Sequence, residues 1–305
     1  MSAAWMRITN SARSTASPNA GDRTIGGRLV QVRRGFRIPP EPGILVPPFL
    51  EGHDDRLQGP SPQRQAVFHL VDEQIVGRKP RSLTWAEAAA LPLTAITAWE
   101  MLFDRLDIRR SVPGVKPAVL IIGGAGGVSS IAIQVARVLT DVTVIATASR
   151  AETRDWVKSL GAHHVVDHSR PLAAQVAALP TGAPGFVFST TQTDRHMPEI
   201  VELIAPQGHF GLIDDPAALD ALPLKKKSLS LHWELMFTRP LFGTADMGRQ
   251  GEILNEVSLL VDDGRIRTTL GENLGLITAA NLRQAHALIE SGQAKGKIVL
   301  EGFPG

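Results

Sequence analysis

The chain predicts an α/β fold built on a doubly wound parallel sheet. Three observations carry that prediction. Ala118 to Ile122 is a short apolar run of the buried-strand type. Four glycines, Gly123, Gly124, Gly126 and Gly127, follow at once, and Val128, Ile131, Val135 and Val138 then recur on one helical face. Further on, short apolar strands alternate with amphipathic helices, the pattern of a parallel sheet covered on both sides.

In chain order, residues 1 to 65 hold eight Pro and seven Gly and show little periodicity. They are expected to be irregular, with short strand pieces at Leu29 to Val32 and Ile44 to Val46. Phe68 to Val71 and Gln74 to Val76 read as strands. Thr84 and Glu87 form a capping-box pattern that opens a short helix, which Pro92 should end. A second helix is expected over Thr94 to Leu106. After the glycine-turn helix come strands at Val142 to Ala146, His164 to Val166, Gly185 to Phe188 and Gly208 to Ile213. Helices are expected between them at Ala151 to Leu160, Pro171 to Ala178 and Asp194 to Ala205. Ser228 to Thr238 alternates, with Leu229, Leu231, Trp233, Leu235 and Phe237 on one face, so it predicts a half-buried strand. That strand is the expected edge for pairing in a homodimer. A helix over Gly251 to Asp262, a strand over Arg265 to Leu270, a helix over Asn281 to Glu290 capped by Thr278, and a strand over Lys297 to Leu300 complete the chain.

Composition narrows the function classes. With 43% hydrophobic and 20% charged residues, the 305-residue chain is of ordinary globular type. It has no cysteine, which removes disulfides, thiolate nucleophiles and cysteine-ligated zinc. It has no tyrosine, which removes the catalytic residue that short-chain dehydrogenases need. No apolar run is long enough to span a membrane, and the opening residues lack the apolar core of a secretory signal, so a cytoplasmic protein is expected. The net charge of +2 is uneven: residues 1 to 65 carry nine Arg and five acids, a balance of 9 − 5 = +4. A basic arm of this kind can touch nucleic acid, but a solvated segment is the reading adopted, with neither nucleic acid nor membrane as partner.

A strand, a tight glycine turn and a helix form the unit that holds a dinucleotide pyrophosphate against helix N–H groups. Gly124 suits the sharp turn and Gly126 leaves room for phosphate. Ala125, Gly127 and Val128 complete the turn, and Ser129 takes the third fingerprint position, where a glycine would let helix and strand approach more closely. A plain glycine-rich turn in another α/β fold is the alternative. The second strand ends in Ser149 and Arg150, with Arg154 one turn on and no acid at the tip. Hydroxyl and guanidinium groups there suit the 2′-phosphate of NADP(H) rather than the free ribose of NAD. Ordinary surface charge is the alternative for both arginines. Thr190, Leu212 and Ile213, at the carboxyl ends of later strands, are expected to line the nicotinamide pocket, with plain loop capping as the alternative, and Lys297 either reaches a phosphate or ribose or is simply solvated. His163 and His164 are adjacent, hence on opposite strand faces, and make a poor chelating pair; no zinc is expected. No catalytic residue is identified.

Beyond these local signals, the segments FHLVDEQIVGRKP (from Phe68), AAALPLTAITAWEMLFDRL (from Ala88), IIGGAGGVSSIAIQVAR (from Ile121), SLGAHHVVDH (from Ser159), LIAPQGHFGLIDDP (from Leu203), SLSLHWELMFTRPLF (from Ser228) and GKIVLEGF (from Gly296) resemble, in order and spacing, the medium-chain dehydrogenase/reductase superfamily. The resembling branch is that of zinc-type alcohol dehydrogenase-like proteins and quinone oxidoreductases. The resemblance implies a Rossmann nucleotide domain at residues 98–264 and GroES-like catalytic portions at 66–97 and 265–305, with 1–65 as a truncated GroES-like remnant. It implies NADPH-dependent, zinc-independent reduction of quinones or α,β-unsaturated carbonyls. His168 stands where quinone oxidoreductases often have a phosphate-binding tyrosine. Because the first 65 residues match only scraps of the catalytic domain, an NADPH-binding protein with a regulatory or structural role is the alternative.

Overall fold

The computed structural model describes residues 44–45 and 71–304. The expected strand at Leu29 to Val32, most of that at Phe68 to Val71, and the arginine-rich arm lie outside them. Strand β1 (Ile44–Leu45) pairs antiparallel with β2 (Gly77–Arg78). Gln74 to Val76 is not a strand: Glu73–Ile75 forms a 3-10 turn, because the Asp72 carboxylate accepts from the Gln74 N–H at 2.9 Å.

Helix α1 (Trp85–Ala89) opens on the expected capping box: Thr84 Oγ1 accepts from Glu87 N–H, and the Glu87 carboxylate accepts from Thr84 N–H at 2.8 Å. Pro92 ends nothing; it is the first residue of α2 (Pro92–Trp99), where its missing N–H would have no helical partner anyway. The helix runs on as a π-helical segment, Glu100–Arg105, in which each turn takes an extra residue.

Next come β3 (Ala118–Ile122), α3 (Gly127–Leu139), β4 (Thr143–Thr147), α4 (Ala151–Ser159), β5 (His164–Val166), α5 (Leu172–Ala177), β6 (Phe186–Ser189), α6 (Thr193–Leu203) and β7 (His209–Leu212). These match the expected elements to within a few residues at each end. Strand β8 (Ser230–Trp233) follows a 3-10 turn at Leu222–Lys227. All six strands from β3 to β8 pair in parallel, in the order β5-β4-β3-β6-β7-β8. Numbered from the first, this is 3-2-1-4-5-6, the order of the doubly wound dinucleotide fold. Every residue of β3 is buried, as a strand covered on both faces requires, and full burial of each large apolar side chain contributes about 1.5–3 kcal/mol.

The alternating segment at Ser228 to Thr238 is corrected in two ways. Only Ser230–Trp233 is strand, and the chain then turns into α7 (Thr238–Phe242). The faces are also reversed beyond the strand: Glu234 and Met236 are buried, whereas Trp233 and Leu235 are about half exposed. The cause is long-range, since Glu234 is drawn inward by Arg105. Helix α8 (Arg249–Asp262) starts two residues before the expected Gly251. The strand expected at Arg265 to Leu270 is displaced to β9 (Leu270–Asn273), because Arg267 N–H is taken by Gln134 Oε1 at 2.8 Å and Thr269 Oγ1 by the Ala90 carbonyl at 3.0 Å. Helix α9 (Ala279–Glu290) carries the expected Thr278 cap, and β10 (Lys297–Val299) pairs parallel with β9.

Candidate functional site: the crevice at the carboxyl end of the sheet

The order of the central sheet reverses direction between β3 and β6, so the loops after Ile122 and Ser189 diverge and leave a crevice. The glycine turn sits at its floor. Gly123 has φ +77, a conformation that strains any residue with a Cβ. The sharp bend therefore falls on Gly123, not on Gly124 as expected. Gly124 instead permits a close approach. A Cβ there would stand 2.8 Å from the Thr147 carbonyl oxygen, so the turn and the tip of β4 can meet only without one. Gly126 is the N-cap of α3 and Gly127 its first residue. Val128 is half-buried and packs against the main core.

Thr147 joins three parts of the site, and the sequence reading passed over it. Its Oγ1 accepts from Gly123 N–H at 3.0 Å, its carbonyl accepts from Gly124 N–H at 3.0 Å, and its Oγ1 lies 3.1 Å from His168 Nδ1. A hydroxyl residue closing a buried apolar strand was the available signal. Ser129 is fully buried, and its Oγ pairs with Thr190 Oγ1 at 3.0 Å. Thr190 Oγ1 in turn donates to the Ile122 carbonyl at 2.8 Å. The serine thus ties α3 to the far wall of the crevice, where a glycine would have made no such link.

At the other end of the crevice stand the arginines. Ser149, Arg150 and Arg154 are half-buried at the tip of β4 and the start of α4. Arg150 donates through Nη2 to the Gln293 carbonyl at 2.8 Å, and its Nε lies 3.4 Å from Glu152 Oε1. Arg154 Nη1 donates to the Ala148 carbonyl at 3.3 Å. His168 packs edge-on against His196, ring centroids 6.4 Å apart, and burial lowers the pKa of both below the ordinary imidazole value. Leu212 is buried and Ile213 half-buried at the end of β7. Beside them Asp214 accepts from Thr193 N–H at 2.9 Å and from the Thr193 hydroxyl, which fixes the start of α6.

The last strand closes the site from below. Gly296 N–H donates to the Ala125 carbonyl at 2.8 Å, and Gly126 and Gly296 form a parallel bridge. This brings the Lys297 stem against Gly127, where a Cβ would lie 2.7 Å from Lys297 Cδ. Burial lowers the Lys297 pKa, and among the described residues no carboxylate counters that shift. A half-buried lysine beside the first turn of a helix, with no carboxylate against it among the described residues, fits a phosphate-bearing ligand. Among the described residues, no three histidine or acidic side chains gather as a metal-holding group.

A six-stranded parallel sheet in this order, with a glycine turn at the point of reversal, defines the doubly wound, dinucleotide-type α/β fold. Residues 160–300 match the family model described as zinc-binding dehydrogenase. A zinc-type alcohol dehydrogenase-like protein of Staphylococcus aureus is 38% identical over 247 residues, covering 79% of this chain and 73% of the relative. The crystal structure of a putative zinc-dependent alcohol dehydrogenase protein from Rhizobium etli is 69% identical, with a TM-score of 0.76 over 77% of this chain and 69% of that one. A 2-methylene-furan-3-one reductase of Solanum lycopersicum is 25% identical, covering 83% of this chain and 56% of the relative. The chain belongs to the medium-chain dehydrogenase/reductase superfamily, among the zinc-type alcohol dehydrogenase-like proteins, and is an oxidoreductase of that family.

Proposed function

We propose that the protein is an NADPH-dependent, zinc-independent reductase of quinones or α,β-unsaturated carbonyls. The observation that carries the reading is the unanswered Lys297 charge against Gly127, at the N-terminus of the helix that follows the glycine turn. In this reading Gly124, Ala125, Gly126, Gly127 and Val128 offer backbone to the pyrophosphate, with Lys297 beside them. Ser149, Arg150, Arg154 and His168 receive the adenosine phosphate, and Thr190, Leu212 and Ile213 flank the nicotinamide. A neutral His168, held by Thr147, is free to take up a proton when a phosphate approaches.

The reduced coenzyme, when bound, supplies a hydride. The chain's own contribution is to position it and to exclude water, which the Ser129–Thr190–Ile122 link supports by fixing both walls of the crevice. The name of the tomato relative, an enone reductase, supports the substrate class. A second copy of the chain is the proposed partner, along the edge strand β8 and the segment through α7 that follows it, where Trp233, Leu235, Leu241 and Phe242 are exposed apolar residues.

The test is NADPH oxidation with ortho-quinone and enone acceptors, beside calorimetric titration with NADPH and NADH. Turnover with NADPH binding at least about tenfold tighter than NADH supports the reading. Equal dissociation constants remove the NADP preference, and binding without turnover leaves a nucleotide-binding protein with a regulatory or structural role.

A further inference from the structure

A second cluster of buried charge lies past the end of β8 and is not used by the reading above. Glu100 and Glu234 are both almost wholly buried, at 1% and 4% exposure. Arg105 Nε donates to Glu234 Oε2 at 2.7 Å. Arg239 pairs with Glu100, with Asp104 at 2.9 Å and with Asp246 at 3.0 Å. Gln250, fully buried, donates both to Glu100 Oε1 at 2.9 Å and to the Met236 carbonyl at 2.6 Å. The groups come from every element packed here: Glu100, Asp104 and Arg105 from the π-helical segment, His232 and Glu234 from β8 and its loop, Arg239 from α7, Asp246 ahead of α8, and Gln250 on α8.

The charges do not balance. Four carboxylates share two guanidinium groups, and three of the four crowd around Arg239. Glu234 Oε1 is buried with no hydrogen-bond partner so long as the group is ionised. A buried, orphaned carboxylate oxygen beside a second buried carboxylate is the arrangement in which one proton is shared, since two neighbouring charges out of water repel. That proton would let Glu234 donate to Glu100 and leave no acceptor stranded.

The pair is anchored to the crevice. Glu234 N–H donates to the Leu212 carbonyl at 3.2 Å, and Leu212 ends the strand flanking the proposed nicotinamide position. Met236, two residues on, is held by the Gln250 that holds Glu100. The loop 234–237 therefore hangs from the cluster at both ends.

We propose that Glu100 and Glu234 share one proton, and that this proton fastens loop 234–237 against the end of β7 and so positions the nicotinamide half of the coenzyme. Glu234 is a positioning residue in this scheme; it touches neither substrate nor coenzyme. The proposal rests on the NADPH-reductase reading for its consequence, though not for the shared proton itself. Burial and the Glu100 charge push the Glu234 carboxyl up to about 8, so the fastening is present at neutral pH and lost in mild alkali.

The test uses the full chain, with Glu234→Gln as a mimic of the protonated state and Glu100→Gln as a second variant. Infrared difference titration of the wild type is expected to show a protonated carboxyl at neutral pH that disappears near pH 8 and is missing from Glu234→Gln. NADPH binding to the wild type should weaken about tenfold more than binding to Glu234→Gln as pH is raised from about 7 to about 9. Binding of 2′,5′-ADP, which lacks the nicotinamide half, should show the same pH dependence in both proteins. Absence of the carboxyl signal at neutral pH overturns the shared proton, and identical NADPH profiles in wild type and Glu234→Gln overturn the positioning role. If the wild type binds no NADPH at any pH, the reductase reading falls. Hydrogen exchange at amides 234–237 then decides the fastening: an alkaline rise in the wild type beyond that of Glu234→Gln supports it, and equal rates overturn it.

Discussion

The glycine turn and the region past β8 both lie at the carboxyl end of the same sheet, yet they are built by opposite means. Around the turn, the hydrogen-bonded side chains are small hydroxyls, with the Lys297 stem beside them: Thr147 accepts from the Gly123 N–H, Ser129 meets the Thr190 hydroxyl, and Thr190 donates to the Ile122 carbonyl, all at ordinary distances. The fit there depends on the absence of side chains, at Gly123, Gly124 and Gly127. Past β8, long charged side chains are buried instead, and Glu234 Oε1 and Gln250 Oε1 are left without a hydrogen-bond partner. A site made by omission tolerates no added atom. A site made of buried ions tolerates shape change but no change in charge. The two regions should therefore fail differently under substitution.

The largest expected effect is on the charged side. Replacing Arg239 by Met keeps volume but strands the buried Glu100, while Asp104 and Asp246 can turn to solvent, and removing one partner of a buried ion pair typically costs about 3–5 kcal/mol. Thermal and urea unfolding should show that loss. If the variant is as stable as the wild type, the cluster contributes no net pairing and the two regions do not differ in this way. Next in size is the turn. In Gly124→Ala the new Cβ meets a backbone oxygen, which cannot swing aside as a side chain could, so a loss of about 1–3 kcal/mol is expected together with loss of NADPH binding. Unchanged affinity in a folded Gly124→Ala protein would show that the pyrophosphate does not use this turn.

A pH titration separates the regions again. The Glu234 carboxyl binds its proton more tightly folded than unfolded, where a glutamate titrates at about 4.3. Between that value and about 8 the folded state holds the extra proton, so rising pH costs stability across this window and nothing further above it. Glu234→Gln should remove that slope, and subtracting the two melting curves cancels every group they share. His168 and His196 act at the other end. Burial lowers both pKa values, so their contribution is complete above the unfolded histidine value of about 6.5 and is lost as pH falls through their lower folded values. Acid sensitivity should thus survive in Glu234→Gln.

The same contrast explains what could be read from the sequence. Strands β3 to β7 were legible because each is a run of adjacent residues buried together, and the glycine turn because its members are consecutive. The Thr84–Glu87 box was legible for the same reason. The charged region was not. Arg105 and Glu234 lie 129 residues apart and Glu100 and Gln250 lie 150 apart, so nothing local marks them as partners. Their pairing also defeated the alternation rule after Trp233, where an acid went inward and a leucine outward. The Gln74 to Val76 strand failed for a smaller reason, a capping carboxylate one residue away from the apolar run.

The smallest expected effect concerns Ser129, where the sequence departs from the glycine fingerprint. Were the departure a defect, Ser129→Gly would improve coenzyme binding by letting α3 settle closer to β3. The structure argues the reverse. The serine side chain is fully buried and is already accommodated, and its hydroxyl bridges to Thr190 across the crevice. Removing it deletes one hydrogen bond, leaves Thr190 with the Ile122 carbonyl alone, and adds a glycine to the first turn of a helix. The first change costs about 0.5–1.5 kcal/mol and the second up to about 1 kcal/mol. A modest fall in melting temperature is therefore expected, with NADPH affinity weakened by less than about tenfold. Tighter binding by Ser129→Gly would mean that the serine holds the walls of the crevice too far apart.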